Sequence, residues 1–351
     1  MVTLCQGQYV NEDATNNHKN KQKIILPVIL FKSETGLALG ASGRVFFLDM
    51  PNQYNQRFST LSAAAMYTTK GQIRLGASSQ LFLKGGDYQI DLKIRYRNLP
   101  SSFWGVGRNT PDIQEELYTM NSYQFEFSLQ KRVEEFLYAG IEYIFHQYTV
   151  TEKDPAGLLV QETVTGNSQA QISGIGAMLT YDSRDTDIDP QYGTYARLAV
   201  RVFNDDFGNL TSFYKYMTDF RHYMRLGGKS LLAMQFKTEF TAGNPPFQQM
   251  AWYGGEENGR GYTYGRYIDR HLYLLQLEFR YRILPRWGIA VFGTGGEVNK
   301  EITSLFQHIT PSAGAGIRFQ IRKDNPTLLR TDFGIGARGN MGFYFGINQV
   351  F

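Results

Sequence analysis

The residues best equipped for chemistry fall in two short stretches. Tyr253 to Tyr267 reads YGGEENGRGYTYGRY and holds five glycines, two arginines and four tyrosines. Its centre, Gly259, Arg260, Gly261 and Tyr262, puts a permanent cation on a backbone free to bend. The chemistry on offer is charge pairing, because an arginine drawn away from water needs an acceptor. The second stretch is YDSRDTDIDPQYGTY (181–195). Asp182, Arg184 and Asp185 lie close together there, and Pro190 with Gly193 sets a bend. The favoured reading is a solvated corner that pins the register of two flanking strands, ahead of a binding site.

Group-transfer and metal chemistry find little support. The five histidines, His18, His146, His222, His271 and His308, show no Ser-His-Asp spacing. No histidine pair has ligand spacing, and Cys5 has no second cysteine to join it. No enzymatic activity, cofactor or metal is therefore expected.

The stretch around Arg260 must be held by what flanks it. LLAMQFKTEF (231–240) and HLYLLQLEFRYRIL (271–284) alternate strictly, so a long loop joins two strands. A loop of that length is functional or disordered, and this one is aromatic rather than charged, which favours packing. The same period of two runs through the chain. In YQIDLKIRYRNL (88–99), Tyr88, Ile90, Leu92, Ile94 and Tyr96 share one face. Gln89, Asp91, Lys93, Arg95 and Arg97 share the other, with too many charges for a packed core.

Counting such runs gives about sixteen strands, beginning with IILPVILF (24–31) and ending with MGFYFGINQVF (341–351). The connections form two sets. LKGGD, KRVEE, LGGK, LPRW and KDNP are short, whereas 98–117, 151–168, 243–270 and 299–310 are long. The segment 49–57 departs from this pattern. Short turns on one side and long loops on the other suit an antiparallel transmembrane β-barrel. Parity puts the Arg260 loop sixth on the long side. No run approaches the ~20 apolar residues of a membrane helix. Charged residues are only 19% and aromatics reach 15%, a balance that favours a lipid-facing wall over a soluble sandwich. A net charge of +4 gives no reason to expect nucleic acid.

Two domains' worth of labels follow: a flexible tail at 1–23 and a barrel at 24–351. The tail lacks the charged start and apolar centre of a signal peptide, so an export signal is expected to be missing or truncated.

The 181–195 turn resembles the YDxRD…P…G turn of the bacterial surface antigen superfamily, the BamA/TamA-like outer-membrane barrels. NGRGY (258–262) resembles that family's (V/I)RG(F/Y) signature on the sixth outer loop. LLRTDFG (328–334) is similar to its penultimate strand, and GFYFGINQVF to its last, with Phe351 as a C-terminal signal. The resemblance runs from about Pro27 to Phe351. Two departures stand out. Gly259 replaces an aliphatic residue, and Phe292-Gly293-Thr294-Gly295-Gly296 has Thr294 where the family's F-x-D-x-G carries the acid that partners the loop arginine. Parity points Asp332 and Glu278 inward on nearby strands. Asp332 is the first candidate partner for Arg260 and Glu278 the second, with a wet lumen offering no strong partner as the alternative.

The resemblance implies an integral barrel in the bacterial outer membrane with both termini periplasmic. Its partners would be outer-membrane lipids and lipopolysaccharide, with periplasmic or outer-membrane proteins as further candidates. Family members that assemble or translocate proteins usually carry POTRA modules, and only about two dozen residues precede the first strand here. A barrel-only member is expected. Two functions stay open. One is outer-membrane protein assembly, translocation or transport through a seam between the first and last strands. The other is a passive pore or anchor, whose inward Arg95, Arg97, Arg280, Arg282 and Arg318 would favour anions.

Overall fold

The computed structural model describes residues 21–32, 36–48, 58–151, 153–161, 164–304, 306–322 and 325–351. Most of the expected tail, residues 1–20, lies outside the described residues, as does segment 49–57. The first strand starts at Lys21 rather than at 24.

Strands dominate: β1 (Lys21–Lys32), β2 (Gly36–Phe47), β3 (Ser59–Thr68), β4 (Ile73–Leu83), β5 (Tyr88–Phe103) and β6 (Glu116–Glu134) come first. Then follow β7 (Leu137–Thr151), β8 (Gln169–Asp182), β9 (Gly193–Phe203), β10 (Phe213–Gly227) and β11 (Ser230–Gly243). Two short strands, β12 (Ala251–Tyr253) and β13 (Tyr267–Asp269), form a separate hairpin inside the long loop. The chain finishes with β14 (His271–Leu284), β15 (Trp287–Asn299), β16 (Thr310–Arg322), β17 (Asn325–Gly336) and β18 (Met341–Ile347). The other strands close into one antiparallel barrel, each beside its sequence neighbour, with β11 next to β14.

The wall is inside out compared with a soluble core. On β14, Leu277 is 42% exposed on the outer face while Glu278 beside it is fully buried in the lumen. Leu275, Phe279 and Tyr281 are likewise exposed, and Gln276 and Arg280 are buried. Apolar residues facing out around buried charges suit a hydrocarbon surround and a polar interior.

Three further boundaries differ from the sequence pattern. β5 and β6 run far into the expected loop 98–117, leaving 104–115 as the connection. Pro100, Ser101 and Ser102 mimic a turn, but all three keep their places in the β5–β6 ladder. This tall wall supports the Arg260 loop through Phe103, Tyr118 and Val150, which pack on Phe247 and Ile268. The last strand stops at Ile347, not Phe351. Asn348 adopts φ +67 and turns the chain inward, where Phe351 packs on Tyr223, Leu231 and Ala233. The 104–115 connection joins in too, since Arg266 donates to Thr110 Oγ1 at 2.8 Å and to Asp112 Oδ1 at 3.0 Å.

β1 is the weakly held strand. It pairs with β2 along its whole length, yet among the described residues a single register pair, Lys32↔Tyr344, joins it to β18. Pro27 lies within β1 opposite Ala41, so one backbone donor is missing from that strand.

Candidate functional site: a charge cage inside the barrel

The loop between β11 and β14 folds back into the lumen. Tyrosines fasten it to the wall. Tyr253 Oη donates to the Thr310 carbonyl at 2.7 Å, and Tyr262 Oη donates to the Pro311 carbonyl at 2.8 Å. Tyr262 Oη also accepts the Ala337 N–H at 2.7 Å. Tyr344 of β18 accepts the Gly261 N–H and donates to the Tyr262 carbonyl, both at 3.1 Å. Gly261 sits at φ +110, and a Cβ there would come within 2.8 Å of the β17 backbone. Gly334 gives the matching clearance on the wall, since a Cβ there would meet Gly261 N at 2.8 Å. Gly259 also has positive φ, and a Cβ would press on the Tyr253 ring at 2.9 Å, so an aliphatic residue does not fit at 259.

This anchorage delivers Arg260 fully buried into a cage of charge. Its Nη1 donates to Asp332 Oδ2 at 2.8 Å. Its Nη2 lies 2.7 Å from Glu278 Oε2, off the hydrogen-bond line, and Nε has no hydrogen-bond partner among the described residues. The guanidinium stacks 3.5 Å above the Phe292 ring. Arg318 bridges both acids, with Nη1 at 2.5 Å from Asp332 Oδ1 and Nη2 at 3.3 Å from Glu278 Oε1. Arg330 donates to Asp332 Oδ2 at 2.6 Å and also pairs with Glu256 of the loop. Arg280 donates to Glu278 Oε1 at 2.8 Å. Among the described residues, four guanidiniums thus share three carboxylates. Fully dehydrated charges survive only with such mutual compensation.

Both carboxylates proposed from strand parity, Asp332 and Glu278, therefore contact Arg260. Thr294 does not. Its hydroxyl donates to Gln276 Oε1 at 3.2 Å, and Gln276 in turn holds the Glu257 carbonyl at 2.9 Å. Phe292, Arg330, Glu256 and Tyr344 were not singled out in the sequence. Phe292 carried one signal, as the aromatic that opens the F-x-x-x-G segment. Arg280 and Arg318 spend their charge in this cage, and Arg95 pairs with Glu126 at 3.2 Å. Their charge is thus offset by neighbouring acids rather than lining an open anion path.

The second stretch is not a solvated corner. Arg184 holds buried Asp182 through Nε at 2.9 Å and Nη2 at 3.0 Å, and lies 4.5 Å from the centre of the Tyr195 ring. Asp185 Oδ1 accepts the N–H groups of Thr186 at 3.1 Å and Gln191 at 2.9 Å. Burial pushes the Asp185 carboxyl up, and backbone donors from Gln191 and Tyr192 pull it back. Pro190 is buried, and Gly193 has φ +104 with no room for a Cβ, which would meet the Ser183 carbonyl at 2.4 Å. The turn crosses the barrel mouth opposite the Arg260 loop. There Gln349 donates to Asp189 Oδ1 at 2.8 Å, and Arg280 lies 3.9 Å from the same oxygen. Phe351 ends beside it, its carbonyl oxygen 2.8 Å from Arg280 Nη2.

Residues 35–351 match the Omp85 superfamily domain. No curated protein sequence matches the chain. Among solved structures, a BamA from Haemophilus ducreyi lacking POTRA domains 1–3 superposes with a TM-score of 0.61 at 13% identity. That alignment covers 94% of this chain and 70% of the other. CdiB from Escherichia coli gives a TM-score of 0.63 at 10% identity, covering 92% of this chain and 62% of that one. CdiB from Acinetobacter baumannii gives 0.57 at 13%, covering 93% and 59%. This chain therefore spans about three-fifths to seven-tenths of the length of these neighbours.

Proposed function

The chain belongs to the Omp85 superfamily of outer-membrane β-barrels, and from that premise we propose that it assists the insertion or translocation of other outer-membrane proteins. The Arg260 loop faces the cell exterior in this reading, and the short-turn end, with both termini, faces the periplasm. The carrying observation is a short seam beside an internal brace. Among the described residues one register pair joins β1 to β18, while the Arg260 loop is fastened to β16, β17 and β18 next to it. A strand edge that opens is a template for an incoming strand. The brace keeps the rest of the wall in shape while it does so.

The test uses vesicles that contain the purified chain, in which Cys5→Ser is combined with Lys32→Cys and Tyr344→Cys, with Cys5→Ser/Tyr344→Cys run beside it because Tyr344 also fastens the loop. A urea-unfolded small outer-membrane barrel is added, and its insertion rate is followed by heat-shifted migration on gels. With the cysteines reduced, insertion should run faster than into empty vesicles. With the disulfide formed, the acceleration should disappear. Equal acceleration in both states rejects the opening seam. The passive-pore alternative predicts large steady conductance in planar bilayers, and the loop folded into the lumen argues against it.

A further inference from the structure

The short-turn end carries a second feature that the brace does not use. A pocket of about 180 Å³ opens there between the β10–β11 and β14–β15 turns. Arg225, Lys229, Arg280, Arg282, Arg286 and Asp189 are among its lining residues. With Arg318 the lining holds six cations against one carboxylate. Arg280 and Arg318 are paired inside the cage, and Arg286 donates to the Gln320 carbonyl, which leaves its charge uncompensated. Among the described residues no acid pairs with Arg225, Lys229 or Arg282. The Lys229 carbonyl accepts the Arg282 N–H at 2.9 Å, which holds these two cations side by side. Deeper in, Arg280 is 7% exposed, and its buried Nη1 has no hydrogen-bond partner. A buried donor left unmade is costly, and the nearest acid to it is Asp189 of the same lining, 3.9 Å away. Gly227 and Gly228 in the turn have open space where a Cβ would sit.

The outer rim of the same pocket is apolar. Tyr281, Trp287 and Ile289 line it and are exposed, and Leu226, Ile283 and Leu284 continue that surface at the strand ends. Aromatic and basic residues side by side at strand ends mark the level of lipid headgroups. We propose that this pocket binds the phosphate of an anionic phospholipid in the leaflet at the short-turn end. The inference rests on the membrane placement of the barrel and not on seam opening. Arg225, Lys229, Arg282 and Arg286 take the phosphate oxygens, and the acyl chains run up past Trp287 and Ile289.

The test titrates the full chain in neutral detergent micelles with dihexanoyl phosphatidylglycerol, dihexanoyl phosphatidylcholine or inorganic phosphate. Tryptophan fluorescence is read for the wild type and for Trp287→Phe, so that the Trp287 signal is the difference between them. Phosphatidylglycerol should saturate this signal at a concentration at least about tenfold lower than phosphatidylcholine, with the preference shrinking as salt rises. Arg225→Gln/Lys229→Gln/Arg282→Gln should erase that preference while the barrel keeps its heat-shifted migration. Lys229→Glu alone should weaken it, and serves if the triple variant does not fold. Equal response to the two lipids, or an unchanged preference in the variants, overturns the proposal. Inorganic phosphate that matches phosphatidylglycerol overturns the lipid as ligand. Client insertion is read separately, so failure here leaves the seam experiment untouched.

Discussion

At the scale of single residues, the brace depends on an arginine and not on a positive charge alone. Arg260 spends one nitrogen on Asp332, another beside Glu278, and its plane on Phe292. Arg260→Ala removes one partner from two buried acids and should cost about 3–5 kcal/mol. The urea midpoint of heat-shifted gel migration would register that loss. Arg260→Lys should recover little, since an ammonium has neither the fork nor the flat face. Phe292→Leu isolates the stacking and should cost about 0.5–2 kcal/mol on the same assay. Asp332 and Glu278 were readable because alternation fixes which face a strand residue takes. Arg330 and Glu256 were not. Alternation does not tell how high on its strand a residue lies, nor where a loop from elsewhere comes to rest.

At the scale of elements, glycine decides whether the loop seats. Gly334 of β17 touches the backbone of Arg260 and Gly261. Gly334→Val should lift the loop off the wall, and limited trypsin digestion should then cut at Arg260 or Arg266, sites that are buried in the wild type. Gly193→Ala should cost about 1–3 kcal/mol, because it forces a side chain into a positive-φ position against the Ser183 carbonyl. Strand number and order follow from the period of two and the alternation of short and long connections. The ends of β5 and β6 do not. Pro100, Ser101 and Ser102 have turn character, and only the loop packed against Phe103 and Tyr118 makes a taller wall worthwhile. The inward turn at Asn348 hid in the same way, because residues 341–351 alternate as a strand would, and a single positive φ redirects them.

At the scale of the whole molecule, the Arg260 loop enters the lumen from one end, and the turn that reaches Gln349 extends across part of the other. The wild type should therefore be nearly silent in planar bilayers. A variant with residues 254–266 replaced by a short glycine-serine linker should show frequent openings, and a silent variant would reject the loop as the main obstruction. The fastenings described above also divide the wall unequally. Those of the loop and the floor turn end on β5 to β7, on β11 and on the run from β14 to β18. The seam lies at the edge of that run. If it parts, β14 to β18 behave as a bolted frame, and β1 with the strands after it swings as the leaf. Opening is then a one-sided motion with its compliance in β1 to β4. Amide exchange should record it as faster loss of protection along β2–β4 than along β15–β17.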